Sequence, residues 1–229
     1  MTIDDTLASP DDRGASGAGL GAPIWSTATL PWRLVEIAGA GALAGVLMIL
    51  LWLDLRPDLS VAAGHTFFWI KAVYPAGVAG CALVATTWLA RGRKAGVMAL
   101  APAGAAACAM LIAAGVQSVA MSPAALVALH WPNAFVCIGN VLVIAAPMLA
   151  LTAYGLRDVD LLRPAPTGFA AGLFCGGVAA TVDGLHCWQG TYAFVGPWFT
   201  LAMLVSGAIG AGSIKLLARR RRFLALAAE

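Results

Sequence analysis

The stretch "FVCIGNVLVIAAPMLALTAYGLR", residues 135–157, decides the fold class because it carries no charged side chain until Arg157. An α-helix rises about 1.5 Å per residue, so roughly 20 apolar residues cross a hydrocarbon core about 30 Å thick. Five more segments share this character, and the six lie at approximately 35–54, 66–90, 95–120, 133–155, 167–187 and 193–217. We therefore predict an all-α membrane protein with six transmembrane helices.

The composition supports a membrane protein and argues against several soluble classes. Of the 229 residues, 61% are hydrophobic and only 11% are charged, which is too little charge to cover the surface of a soluble domain. The five cysteines show no CxxC spacing, which argues against a zinc knuckle or a thioredoxin-like motif. Glycine-rich runs lack a phosphate-binding lysine, so we reject a nucleotide-binding loop.

The basic residues of the short loops predict the orientation, because Lys and Arg concentrate on the cytoplasmic side. They fall in the 2–3 loop, in the 4–5 loop and after the sixth segment: Arg91, Arg93, Lys94, Arg157, Arg163 and Arg219 to Arg222. The 3–4 and 5–6 connections contain none. Both termini are therefore predicted to be cytoplasmic, although Arg56 would lie outside, flanked by Asp54 and Asp58.

This topology divides the chain into three parts. Residues 1–33 form a cytoplasmic tail, residues 34–218 the six-helix transmembrane domain, and residues 219–229 a basic cytoplasmic C-terminus. The tail is polar and rich in Gly, Ser and Pro, which predicts flexibility, and it has no apolar region typical of a signal peptide. Its four acidic residues are candidates for contact with a basic partner: Asp4, Asp5, Asp11 and Asp12.

Two cysteines are predicted to lie at the same depth. Cys137 is 19 residues from the start of the 4–5 loop at Leu156, and Cys187 is 20 residues from its end at Thr167. These separations correspond to heights of about 29 and 30 Å above the cytoplasmic side. Because helices joined by a short loop are commonly neighbours, the two thiols are expected to meet near the external surface. Simple helix packing, which we expect for Cys81, Cys108 and Cys175, is the alternative.

Titratable residues gather on the same side. His65, His130 and His186 all fall at predicted external ends, and histidine binds metals and favours a neighbouring thiolate. Placement at the membrane–water interface is the alternative explanation for the histidines. Asp183 precedes Cys187 by four residues and Lys71 lies inside segment 2. Such charges indicate either a functional site, including a Lys71–Asp183 pair, or side chains that reach the interface.

Several motifs together resemble a known family. They are "LWLDLRPDL" after the first span, the fourth span quoted above, "AAGLFCGGVAATVDGLHC" in the fifth and "FVGPWF" in the sixth. Their order and spacing resemble the NrsF-like (DUF1109) family of six-span inner-membrane anti-sigma factors of proteobacteria, over nearly the whole chain from about residue 31. The resemblance implies a non-enzymatic regulator that holds an extracytoplasmic-function sigma factor and releases it under oxidative or heavy-metal stress.

The resemblance also implies that Cys137 and Cys187 are the sensing thiols. From their positions in the sequence, we expect His186, His130 and Asp183 to support them. A disulfide and a heavy-metal ion held by Cys137, Cys187 and His186 are both open as the signal, and no resident cofactor is required. The expected partners are the sigma factor and the lipid bilayer, without direct nucleic-acid contact. The alternatives from other classes are a small membrane transporter or channel subunit and a membrane thiol oxidoreductase.

Overall fold

A computed structural model of the chain describes residues 26–53, 58–131, 133–157 and 159–227. The regular structure of these residues is entirely helical. The helices are α1 (Leu30–Met48), α2 (Leu59–Ala62), α3 (Thr66–Ala90), α4 (Ala101–Val119), α5 (Pro123–His130), α6 (Asn133–Leu156), α7 (Pro164–Asp183) and α8 (Tyr192–Ala227). A π-helical turn, Ile49–Leu53, extends α1, and short 3-10 turns precede α4.

Among the described residues, six helical segments are long and apolar enough to cross a membrane, as predicted. They are Leu30–Leu53, Thr66–Ala90, Lys94–Val119, Pro123–Leu156, Pro164–Asp183 and Tyr192–Arg221. The prediction of six apolar helices is therefore confirmed, while their orientation and insertion remain predictions.

The observed helix ends differ from the predicted ones in three places. The first helix begins at Leu30, where Pro31 occupies a first-turn position that needs no backbone donor. The fifth span ends at Asp183, so Cys187 lies in the following turn instead of the helix. The last helix runs through the arginine cluster to Ala227, because Arg, Leu and Ala are all good helix formers.

Helix α7 is the centre of the bundle. It packs against α8, α3, α6 and α1, and its most extensive interface is with α8. In its most apolar stretch 72% of the residues are buried, against 17% in the span that contains α4. Glycine makes the α7–α8 approach close: a Cβ on Gly172 would lie 2.3 Å from the carbonyl oxygen of Ser206. Small residues at such a contact let two backbones meet, as in many membrane bundles.

Two polar contacts join segments that surround α7. The Gln117 side-chain oxygen at the end of α4 accepts a hydrogen bond from the Ala193 amide at the start of α8, at 2.8 Å. At the far end of α3, Arg91 Nε donates to the carbonyl oxygen of Thr27, at 3.4 Å. Helix α3 therefore contacts the chain just before α1, where the predicted tail meets the bundle.

Candidate thiol site

Two sulfur atoms and a carboxylate meet at one end of α6 and α7. Cys137 lies in the first turns of α6, Asp183 is the last residue of α7, and Cys187 lies in the turn that follows. The ligand atoms of these three residues all lie within 4.8 Å of one another. All three side chains are buried, and Asp183 has no exposed surface. We call these three residues the thiol site.

The backbone turn after α7 explains how Cys187 reaches this position. The carbonyl oxygen of Asp183 accepts hydrogen bonds from the amides of His186, at 3.0 Å, and Cys187, at 2.8 Å. The chain therefore makes one more helical turn after α7, which returns Cys187 to the side of Asp183. The predicted proximity of Cys137 and Cys187 agrees with this geometry.

The carboxylate of Asp183 is only half satisfied. Its Oδ2 accepts a long hydrogen bond from Cys137 Sγ, at 3.7 Å. Its Oδ1 is buried and has no hydrogen-bond partner in the part of the chain that the structure describes. A buried carboxylate oxygen without a partner is costly in free energy.

Lys71 brings a positive charge from α3 to the same place. Its side chain is 2% exposed, and its ammonium donates to the carbonyl oxygens of Cys187, at 2.5 Å, and Gln189, at 3.2 Å. The suggested Lys71–Asp183 ion pair is not formed directly, because the backbone carbonyls take the ammonium. Lys71 still lies close enough for its charge to act on the thiol site.

The environment favours the thiolate of Cys187. Polar contact with the neighbouring Cys137 thiol, followed by the positive charge of Lys71, lowers the pKa of Cys187 below its ordinary value. A thiol with a lowered pKa reacts faster with oxidants and binds soft metal ions more readily at neutral pH. The chemistry available here is therefore oxidation to a disulfide or coordination of a thiophilic cation.

A cavity of about 160 Å³ opens beside the thiol site. Besides the three site residues it is lined by His186, Asn140, Asn133, Val136, Trp188, Gln189 and Phe194. His186 is half-buried and next to the thiols, but it is not among the residues whose ligand atoms cluster. The sequence prediction missed Asn140, although its position three residues after Cys137 places it on the same helix face.

The other predicted site residues are placed as follows. His130 is the last residue of α5, and its side chain lies outside the described residues. Asp4, Asp5, Asp11 and Asp12 also lie outside them, so their partner-binding role stays a prediction. Of the other cysteines, Cys81 is half-buried, Cys108 is exposed, and Cys175 is buried in mid-helix beside Thr152.

These features define a class: a small bundle of six membrane-length helices with a buried thiol–carboxylate site at one end. The family model described as negative regulator of sigma F matches residues 21–219, and the chain belongs to this NrsF family. The suggested family resemblance is thereby confirmed.

Curated relatives agree with the family assignment. The chain is 37% identical over 196 residues to the anti-sigma-F factor NrsF of Caulobacter vibrioides (strain NA1000 / CB15N), covering 82% of this chain and 89% of that protein. It is 31% identical over 180 residues to the probable anti-sigma-F factor NrsF of Azospira oryzae (strain ATCC BAA-33 / DSM 13638 / PS), covering 78% and 84%. No solved structure matches the chain.

Proposed function

We propose that the chain is an integral inner-membrane anti-sigma factor that holds an extracytoplasmic-function sigma factor and releases it when Cys137 and Cys187 react. Its membership of the NrsF family supports the role of a negative regulator that binds a sigma factor, a regulatory role and not an enzymatic one. The single observation that carries the sensing part is the meeting of two buried thiols within 4.8 Å at one end of α6 and α7.

Reaction at the thiol site would change how three helices meet. A two-electron oxidant such as a peroxide would accept two electrons and two protons from the two thiols and be reduced to water, or to an alcohol and water. The sulfurs would join at about 2 Å, so they must approach from their present separation. Helix α6 and the turn after α7 would move together. Since Lys71 holds that turn through the carbonyls of Cys187 and Gln189, α3 is drawn into the same rearrangement.

Helix α3 offers a route from the thiol site to the sigma-binding side. One end carries Lys71 and the other leads to Arg91, which contacts Thr27 just before α1. The two residues are about 30 Å apart along a helix of this pitch. We propose that this rigid connection links thiol chemistry to the tail, whose acidic residues bind the sigma factor. Helix α6 supplies a parallel route to the loop around residues 157–163.

The topology is tested by reporter fusions. Cytoplasmic signals are expected at Arg93, Leu161 and the C-terminus, and periplasmic signals near Ala125 and Gly190, because the loop charges place them so. A periplasmic C-terminus would contradict the proposed placement of the thiols.

The regulatory function is tested in cells. Deletion of the gene should raise sigma-dependent transcription, which a transporter or thiol oxidoreductase would not directly control. A chain without residues 2–28 should no longer co-purify the sigma factor, since the tail is proposed to hold it. Wild-type recovery of the sigma factor with this shortened chain would refute the contact through the tail.

A further inference from the structure

The least explained group in the thiol site is the carboxylate of Asp183. It is fully buried, its Oδ1 accepts no hydrogen bond from the residues that the structure describes, and its Oδ2 accepts a long hydrogen bond from Cys137. The Asn140 side chain also lies close enough to act on this carboxylate. A buried anion usually keeps both oxygens bonded or neutralised. A carboxylate with an unpartnered oxygen, whose ligand atom lies within 4.8 Å of two sulfur atoms, has the donor set of a metal ligand.

The three ligand atoms suit one class of ion. Zinc and similar borderline or soft divalent cations bind thiolates at about 2.3 Å and carboxylates at about 2.0–2.2 Å. Ligands around such an ion lie closer together than the present limit of 4.8 Å, so a small side-chain rotation closes the site. The 160 Å³ cavity beside it leaves room for a water or a fourth ligand.

Charge balance gives Lys71 a role in the same site. A divalent ion, two thiolates and one carboxylate together carry one negative charge, which is costly to bury. The ammonium of Lys71 cancels it. Lys71 can stay in place, because it is held by the carbonyl oxygens of Cys187 and Gln189 and not by the carboxylate that the ion needs.

We propose that Asp183 is the third ligand of a divalent-cation site formed with Cys137 and Cys187, and that Lys71 is the buried counter-ion that neutralises the loaded site. This inference rests on the proposed thiol switch and names its metal chemistry: a thiophilic divalent cation such as Cd²⁺ or Zn²⁺. The proposed third ligand is therefore Asp183, whereas the sequence had suggested His186.

The test is a Cd²⁺ titration of the purified full-length protein in detergent, followed by the ultraviolet absorbance of cadmium–thiolate bonds. Asp183→Asn should weaken binding by at least about tenfold while the absorbance at saturation stays unchanged, because both thiolates remain. Lys71→Met should weaken binding to a similar degree. The double variant should be no weaker than either single one, because Lys71 acts through the charge of Asp183.

The matched control is Asp160→Asn, an exposed aspartate after α6, which should bind Cd²⁺ like the wild type. Unchanged affinity of Asp183→Asn, or independent and additive losses in the double variant, would overturn the proposal. In case Asp183→Asn does not fold, the wild type supplies a second measurement. Cd²⁺ should shift a carboxylate band in its infrared difference spectrum, and an unaltered carboxylate region would refute the ligand role.

The experiments distinguish a failure of the proposed thiol switch from a failure of the proposed metal site. If Cys137→Ser cells still release the sigma factor on induction while the purified wild type binds Cd²⁺ through Asp183, the switch is wrong and the metal site stands. If the cysteine variants are locked but Asp183→Asn binds Cd²⁺ normally, the switch stands and the third ligand is wrong.

Discussion

The middle and the last turn of α7 are equally buried but chemically opposite. In the middle, Gly172 meets α8 backbone to backbone, and Cys175 has a single weak partner, the Thr152 hydroxyl at 3.8 Å. At the last turn, Asp183 keeps an unpartnered oxygen beside two thiols, a buried ammonium and a cavity. Burial of a cysteine therefore says little about its role. The two regions differ in the groups they gather: two thiols and a carboxylate meet at the last turn, whereas a single thiol lies in the middle.

The largest effect on stability should come from a side chain added at the close α7–α8 contact in the middle of α7. In Gly172→Ala the new Cβ would lie 2.3 Å from the Ser206 carbonyl oxygen, and backbone cannot yield as a flexible side chain can. We expect a loss of roughly 3 kcal/mol or more, at the upper end of overpacking costs, measured as thermal unfolding of the purified protein.

Gly104→Ala in α4 is the matched control, because nothing lies within 4 Å of its added Cβ. It should be neutral or stabilise the protein by up to about 1 kcal/mol, since alanine favours a helix over glycine. Equal behaviour of the two alanine variants would show that the α7–α8 contact is not the tight one.

The next effect concerns signalling. Cys137→Ser and Cys187→Ser should each reduce the induced change in sigma-dependent transcription by at least about tenfold, because either substitution removes one of the two paired thiols. The double variant should match the single ones. Additive, independent effects in the reporter assay would mean that the two cysteines do not share a switch.

A smaller effect is expected from His186→Ala. The half-buried imidazole lines the cavity beside Cys187, and its charged form favours the thiolate. The inducer concentration for half response should rise about threefold, equivalent to about 0.7 kcal/mol, while sigma binding is retained. Complete loss of response with normal folding would make His186 a direct participant instead of an assisting group.

The smallest effect should come from Cys175→Ser. The serine hydroxyl can bond to the nearby Thr152, so we expect a stability change of about 1 kcal/mol or less and a normal response. The exposed Cys108→Ser serves as its control. If Cys175→Ser alone abolished signalling while Cys137→Ser did not, the distinction between the two regions of α7 would be wrong.

Much of the thiol site could be predicted from the helical rise per residue. The depths of Cys137 and Cys187 depend only on the rise per residue and the loop position, so the meeting of the two thiols was predictable. The i, i+4 spacing likewise predicted that Asp183 and Cys187 would share a face, although Cys187 lies in a turn beyond the helix. The partners of Lys71 were not predictable, because an ammonium can donate to any nearby oxygen. In the fold it donates to backbone carbonyl oxygens of the turn after α7.

The sequence by itself determined that the described part of the chain forms six apolar helices, because apolar runs of membrane length with few charges can satisfy their backbone groups only as helices in a nonpolar medium. It also determined that two thiols would lie at one depth. Only the tertiary structure decided that α7 is the central helix and that the Asp183 carboxylate lies beside both sulfurs with one oxygen unpartnered among the described residues. It also decided that Lys71 approaches from α3. Helix neighbours and rotations arise from close packing between distant segments, and no local periodicity specifies which faces will meet.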